Sequence, residues 1–319
     1  MFPERFYEIT EGIRTMQIRG AGLIARTASE GLQVASESID STDSDHFWGQ
    51  LKKAARLLLE TRPTAVSLPN ALRFILRGVK RRYDAGGSVA EIRRATTEAS
   101  EEFIESSLSA VDKIGIIGAG RLEDGDTVLT HCNSQAVNSV IGRAHGTGIS
   151  IQLYVTESRP RYQGLITARQ LSELGIPVTL IVDSSARYFM SRIDKVIVGA
   201  DALASNGAVI NKIGTSSIAL AAREARVRFM VAAETYKFSP ETFLGGLVEI
   251  EERPVEEVVS TDWLKKHSGV RVLNPAFDVT PPEYVDAIIT EVGIASPYTF
   301  LFLAQERYGW TLEEAEPWV

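Results

Sequence analysis

A chain of 319 residues exceeds one ordinary domain, and with 44% hydrophobic and 24% charged residues it can bury a core, which excludes a disordered, fibrous or disulfide-framework protein. A formal net charge of −7 gives no general attraction for nucleic acid, so an anionic ligand needs cations focused in a pocket. A single cysteine, Cys132, permits no intramolecular disulfide; the opening residues lack a signal-peptide pattern and no apolar run reaches the ~18 residues of a spanning helix, so a cytoplasmic protein without membrane partners is expected.

From the N-terminus to about residue 117 the apolar spacing is helical. Leu51, Ala54, Ala55 and Leu58 lie at i, i+3, i+4 and i+7; Leu72, Ile75, Leu76 and Val79 repeat the pattern; Ile104, Leu108 and Val111 form a third stripe. Each stripe is expected to face a core. Pro63 and Pro69 bracket a short segment, which predicts a shaped loop over residues 62–70. Ile114-Gly115-Ile116-Ile117-Gly118-Ala119-Gly120 has the outline of a dinucleotide fingerprint, but Glu123 stands at the third glycine position and an acidic turn follows where a helix should begin. The run reads as a helix end and linker.

Beyond Glu123-Asp124-Gly125-Asp126 the period changes. Strand-like runs at 127–131, 149–155, 177–182, 196–199 and 227–232 alternate with helical stretches such as 163–174 and 215–226. The expected fold class is α/β: a helical domain over residues 1–120, then a Rossmann-like domain over 121–319 with a doubly wound parallel sheet. Ligands of such sheets bind beyond the carboxyl ends of the strands.

Two residues stand at such ends. Cys132 follows the first strand and precedes a helix expected over 133–144, where a helix dipole would lower its pKa; a buried, inert cysteine is the alternative. Asp201 follows Gly199-Ala200 in the same position on another strand, as a site residue or a turn aspartate. His131 points to the opposite face from Cys132 and is expected to be packed. Asn211 and Lys212 lie in a glycine-bearing turn before a helix, and Arg19-Gly20-Ala21-Gly22 joins a cation to open backbone amides; either can take a phosphate or be an ordinary solvated turn. Lys237 lies past a further strand end, where a solvated charge is the usual role. No histidine or cysteine cluster has metal-ligand spacing, so no metal is expected.

Several blocks, in order along nearly the whole chain, carry a family resemblance. They are Ile18-Arg19-Gly20-Ala21-Gly22, the run from Thr61 to Leu72, Thr130-His131-Cys132, Gly199-Ala200-Asp201, the run from Asn206 to Thr215, Ala233-Glu234-Thr235-Tyr236-Lys237-Phe238, and the run from Asn274 to Pro281. With them the chain resembles the archaeal ribose 1,5-bisphosphate isomerases, within the wider family of methylthioribose-1-phosphate isomerases and regulatory subunits of translation initiation factor 2B. The regulatory subunits generally lack the cysteine and aspartate pair, so its presence implies an enzyme. Methylthioribose-phosphate isomerases carry a proline after Arg-Gly-Ala and lack the Glu-Thr-Tyr-Lys segment, so Gly22 and Lys237 imply the bisphosphate substrate.

The resemblance implies catalytic roles for Cys132 and Asp201, and substrate contacts from Arg19, Gly20, Ala21, Gly22, Arg62, Ser134, Gln135, Ala136, Asn211, Lys212 and Lys237. Gln135 departs from the lysine of the resembled pattern. The implied reaction, in nucleotide salvage, opens the ribose ring with one acid and moves a proton from C2 with one base; a thiolate at Cys132 and a protonated Asp201 supply both. Hydrogen moves within one molecule, so no cofactor is expected. The alternatives are a methylthioribose-phosphate isomerase and a non-catalytic regulatory subunit. Homo-oligomers, as dimers joined into a hexamer, and activation by AMP are further expectations of the resemblance.

Overall fold

The structure, a computed structural model, describes residues 1–308. Five helices come first: α1 (Glu4–Arg14), α2 (Ala21–Ser38), α3 (Ser44–Leu59), α4 (Ser67–Asp84) and α5 (Val89–Ala119). Asp43 caps α3 by accepting from the amides of Asp45 and His46, and Ser88 with Glu91 forms a reciprocal capping box on α5. The first two apolar stripes are buried as their spacing predicts, on α3 and α4. Truncating Leu58 or Leu72 to alanine there would cost about 2–5 kcal/mol.

The third stripe is on the wrong face. Leu108 is 54% exposed, and α5 instead buries Phe103, Ser107, Ala110 and Ile114. Polar Ser100 and Ser107 sit on the buried face, which hid its period. The loop expected over 62–70 is shorter, because α4 begins at Ser67 and takes Pro69 into its first turn, where no intrahelical N–H is needed. The glycines of the false fingerprint serve packing: a Cβ at Gly115 or Gly118 would stand 2.1 Å from Ser139 Oγ or 2.4 Å from a methyl of Val140, on the helix that packs against α5.

That helix is α6 (Gln135–Gly146), which follows strand β1 (Thr127–Thr130). Next come β2 (Gln152–Thr156), α7 (Gln163–Ser172), β3 (Val178–Ile181), α8 (Ala186–Phe189) and β4 (Lys195–Val198). The hairpin β5 (Ala202–Leu203) and β6 (Val209–Lys212) leads to α9 (Thr215–Ala225) and β7 (Arg228–Ala232). The chain continues through α10 (Thr261–Lys266), β8 (Phe277–Thr280), β9 (Ala287–Thr290), β10 (Gly293–Ala295) and α11 (Phe300–Tyr308). Residues 309–319 of the expected second domain lie outside the described residues.

The main sheet has the order β10-β9-β7-β4-β1-β2-β3 and is parallel except for β10. Alternate residues enter different cores: Leu129, Val196, Val198 and Val231 pack with Ile218 and Ala222 of α9, whereas Val128, Ile197 and Met230 pack with Ile114, Val137 and Ile141 of α5 and α6. Both faces are thus covered, the doubly wound arrangement. Strand order reverses at β1 and β4, which pair side by side. A crevice at this switch point is where such folds bind ligands. The glycine-bearing turn before α9 proves to include a strand: β6 is the middle of a small antiparallel sheet, β5-β6-β8, with Asn206-Gly207 in the hairpin turn. Among the described residues no helix is long and apolar enough to cross a membrane.

Candidate active site

The crevice at the switch point opens into a cavity of about 380 Å³, and all thirteen site residues expected from sequence line it. The three neighbouring strands explain why. Cys132 lies just past β1, Asp201 just past β4, and Glu234 to Lys237 just past β7. Asn211 and Lys212 come from β6, whose pairing with β8 fixes their register. Asp201 is tied to the same strand by its backbone N–H, which donates to the carbonyl of Ile210 at 2.9 Å.

Cys132 holds a left-handed backbone, φ 69°, rare for a residue with a side chain. Its N–H donates to Ser158 Oγ and its carbonyl accepts from Thr167 Oγ1, both at 2.8 Å, so neighbours impose the strain. The expectation of a low thiol pKa is overturned. Helix α6 starts at Gln135, not 133, and Ser134 rather than the thiol caps it, accepting from Val137 N–H. Burial pushes the Cys132 thiol up to about 11; Lys212 opposes the rise and Asp201 adds to it. Asp201 is also raised, by burial first, against the pull of Lys237, Lys212 and Arg62.

His131 is packed, as expected. Its Nε2 faces the carbonyl of Ile213 at 2.9 Å and so carries a proton, while Nδ1 accepts from Thr156 Oγ1 at 2.5 Å. Burial holds it below its ordinary pKa despite Asp183, which keeps the ring neutral.

Two helix N-termini reach the cavity. Gly20 is the uncapped start of α2, so the amides of Ala21 and Gly22 have no intrahelical partner; Gln135 and Ala136 open α6, where the Ser134 cap takes the Val137 N–H and leaves their amides without an intrahelical partner. Arg19 lies at the exposed rim. Lys212 donates to the carbonyl of Ala276 at 3.0 Å and lies over the Phe277 ring. Lys237 is not a solvated charge: it is 5% exposed, with Nζ 2.7 Å from Glu234 Oε2. Arg62 meets Glu251.

Sequence reasoning missed the groups around that pair. Arg253 bridges Glu251 at 2.8 Å and Glu257 at 2.6 Å, and Glu257 takes Arg161 at 3.0 Å. All of them line the cavity. They come from irregular segments without a period, and no spacing in the sequence marks them. Among the described residues no group of three His, Cys, Asp or Glu side chains is placed to hold a metal ion.

Comparison with known proteins gives the family. Residues 17–297 match the Initiation factor 2 subunit family, and the chain belongs to it. It is 53% identical to the ribose 1,5-bisphosphate isomerase of Thermococcus kodakarensis, over 98% of this chain and 97% of that protein. It is 39% identical to the methylthioribose-1-phosphate isomerase of Acetivibrio thermocellus, over 92% of this chain and 89% of that one. Among solved structures it is similar to a translation initiation factor 2B protein of Pyrococcus horikoshii, with a TM-score of 0.79 and 32% identity, over 93% of this chain and 98% of that one.

Proposed function

We propose that this member of the Initiation factor 2 subunit family is an isomerase that converts α-ribose 1,5-bisphosphate to ribulose 1,5-bisphosphate, with Asp201 as acid and Cys132 as base. The observation that carries this reading is the charge count around the cavity. Its lining carries six cations, Arg19, Arg62, Arg161, Lys212, Lys237 and Arg253, against four carboxylates, Asp201, Glu234, Glu251 and Glu257. The lining is two cations in excess, and each helix N-terminus adds partial positive charge. Two anionic groups on one small molecule match that field, whereas a methylthio group would leave half of it unanswered.

The pair needs one proton between its members. With the thiol and the carboxyl both driven upward, moving the proton from Cys132 to Asp201 converts the resting pair, thiol and carboxylate, into the working pair; Lys212 favours the thiolate. Asp201 then gives its proton to the ring oxygen as the C1–O4 bond breaks, leaving C1 electron-poor. The thiolate takes the proton from C2, forming an enol phosphate. Cys132 returns that proton to C1 and the C2 hydroxyl gives its own to Asp201, which completes the ketone and restores both residues.

Self-association belongs to the same reading and is supported by exposed apolar residues beside the sheet's free edge strand β3: Leu180, Val182 and Tyr188 are 46%, 52% and 75% exposed. Activation by AMP remains part of the proposal. The test of the reaction is proton NMR of C2-deuterated ribose 1,5-bisphosphate: formation of the ketose with loss or transfer of deuterium from C2 supports it, and unreacted substrate refutes it.

A further inference from the structure

Four side chains outside these steps connect Gln135 to Lys237. The guanidinium of Arg26, on α2 and 8% exposed, donates to Gln135 Oε1 and to Ser107 Oγ, each at 3.1 Å. Ser107 Oγ lies 3.1 Å from the hydroxyl of Tyr236, which donates to Glu234 Oε1 at 3.1 Å. Since the phenol gives its proton to Glu234, Ser107 must give its own to the phenol, so every proton in the line points the same way, from Arg26 to the carboxylate. Glu234 then meets Lys237 at 2.7 Å. Ser107, Tyr236 and Glu234 are at most 3% exposed.

Two consequences follow for the cavity. Gln135 has its carboxamide oxygen committed to Arg26, so the end it offers to the cavity it lines is the N–H pair. Arg26 has no carboxylate within ion-pair distance among the described residues, and a buried cation so placed is sustained best by an anion arriving nearby. Space ties the line to the opening of α2 as well. A Cβ on Gly22 would stand 3.0 Å from the Tyr236 hydroxyl, 3.3 Å from Arg26 Nη1 and 3.5 Å from Glu234 Oε1.

We propose that Arg26, Ser107, Tyr236 and Glu234 are positioning residues that hold Gln135 and Lys237 as one phosphate-binding edge, with Arg26 lending its charge from behind the Gln135 carboxamide. The substrate rests on the isomerase reading above; the affinity for phosphate does not.

The test is a charge relocation. Wild-type protein, Arg26→Met, Gln135→Lys and the double variant are titrated with ribulose 1,5-bisphosphate and with inorganic phosphate by calorimetry, alongside Tm and, for ribose 1,5-bisphosphate, KM and kcat. Arg26→Met is expected to weaken both ligands about tenfold or more and to raise KM more than it lowers kcat, the size of a lost charge-assisted contact. Gln135→Lys alone weakens binding too, because two cations then compete for one place. The double variant, with its cation moved into the cavity, recovers most of the affinity. Tyr236→Phe, which removes one hydroxyl, raises KM with little change in Tm, and it carries the test alone if Arg26→Met does not fold. Unchanged binding in Arg26→Met, a loss that follows Tm and is not recovered in the double variant, or an unchanged KM in Tyr236→Phe overturns the proposal. If the phosphate pattern holds but wild-type protein leaves ribose 1,5-bisphosphate unchanged, the positioning line stands and the isomerase reading falls.

Discussion

Asn70 donates from its carboxamide nitrogen to the backbone carbonyl of Tyr236 at 2.6 Å and to that of Phe238 at 2.7 Å, so the first turn of α4 grips the turn that presents Lys237. Arg73 holds the other end of the carboxamide at 3.1 Å. Asn70→Asp removes both donors and sets a carboxylate against two buried carbonyls, which should cost about 2–4 kcal/mol. Urea unfolding measures that loss, and kinetics should show a raised KM because Lys237 loses its seat. Wild-type stability and KM in Asn70→Asp would show that the grip carries nothing.

A thiol pushed up to about 11 is almost wholly protonated near neutrality. Cys132 is the one cysteine of the chain, so alkylation reports on it alone. The rate of iodoacetamide labelling in the free protein should rise about tenfold per pH unit from about pH 7 to 9, as the thiolate fraction does. A rate that levels off below about pH 8 would restore the low-pKa thiol expected from its place before a helix.

Asp201→Asn keeps the shape and removes the donated proton, so kcat should fall by about 10²–10⁴. The same variant has a second signature. The Asp201 carboxylate helps to raise the thiol, so its loss should speed labelling of Cys132 at a fixed pH. Unchanged labelling together with unchanged turnover would remove both the acid and its coupling to the base.

The site was legible where chemistry follows strand ends. Cys132 and Asp201 each close an apolar run, and parallel strands carry such residues to one edge whatever the intervening helices do. Gly22 and Lys237 stood out as residues, but only resemblance assigned them to the substrate, because the space beside Gly22 and the burial of Lys237 depend on Tyr236 and Glu234 folding against α2 and α5. Arg161, Arg253 and Glu257 were not legible, since irregular segments bear no period. Ile104, Leu108 and Val111 misled for the opposite reason: their spacing is helical, but Phe103 and Ser107 on the adjacent face have partners in α2 and in the Tyr236 turn. The short β5-β6 hairpin left its Asn206-Gly207 turn in plain sight, yet two- and four-residue strands are too brief to show alternation.

Acid should loosen one wall of the cavity. Glu251 and Glu257 are lowered from an ordinary 4.5: burial pushes each upward, but the hydrogen bonds and charges of Arg253, with Arg62 and Arg161, win. A carboxylate depressed on folding contributes stability above its unfolded pKa and loses it as pH falls through the folded value, so the contribution is complete above about pH 5 and fades below about pH 4. Limited proteolysis within residues 245–273 should therefore accelerate below about pH 4 before the helical core unfolds, with circular dichroism as the reference. Cleavage independent of pH there would show that the ion pairs do not hold the segment.

The central claim is that the cavity's two excess positive charges select a bisphosphate. It is tested most directly by kcat/KM of the purified protein for α-ribose 1,5-bisphosphate and for methylthioribose 1-phosphate under the same conditions. The account predicts a preference for the bisphosphate of about a hundredfold or more, since a site built to pair a group discriminates strongly against its absence. Equal values, or a preference for methylthioribose 1-phosphate, would contradict it.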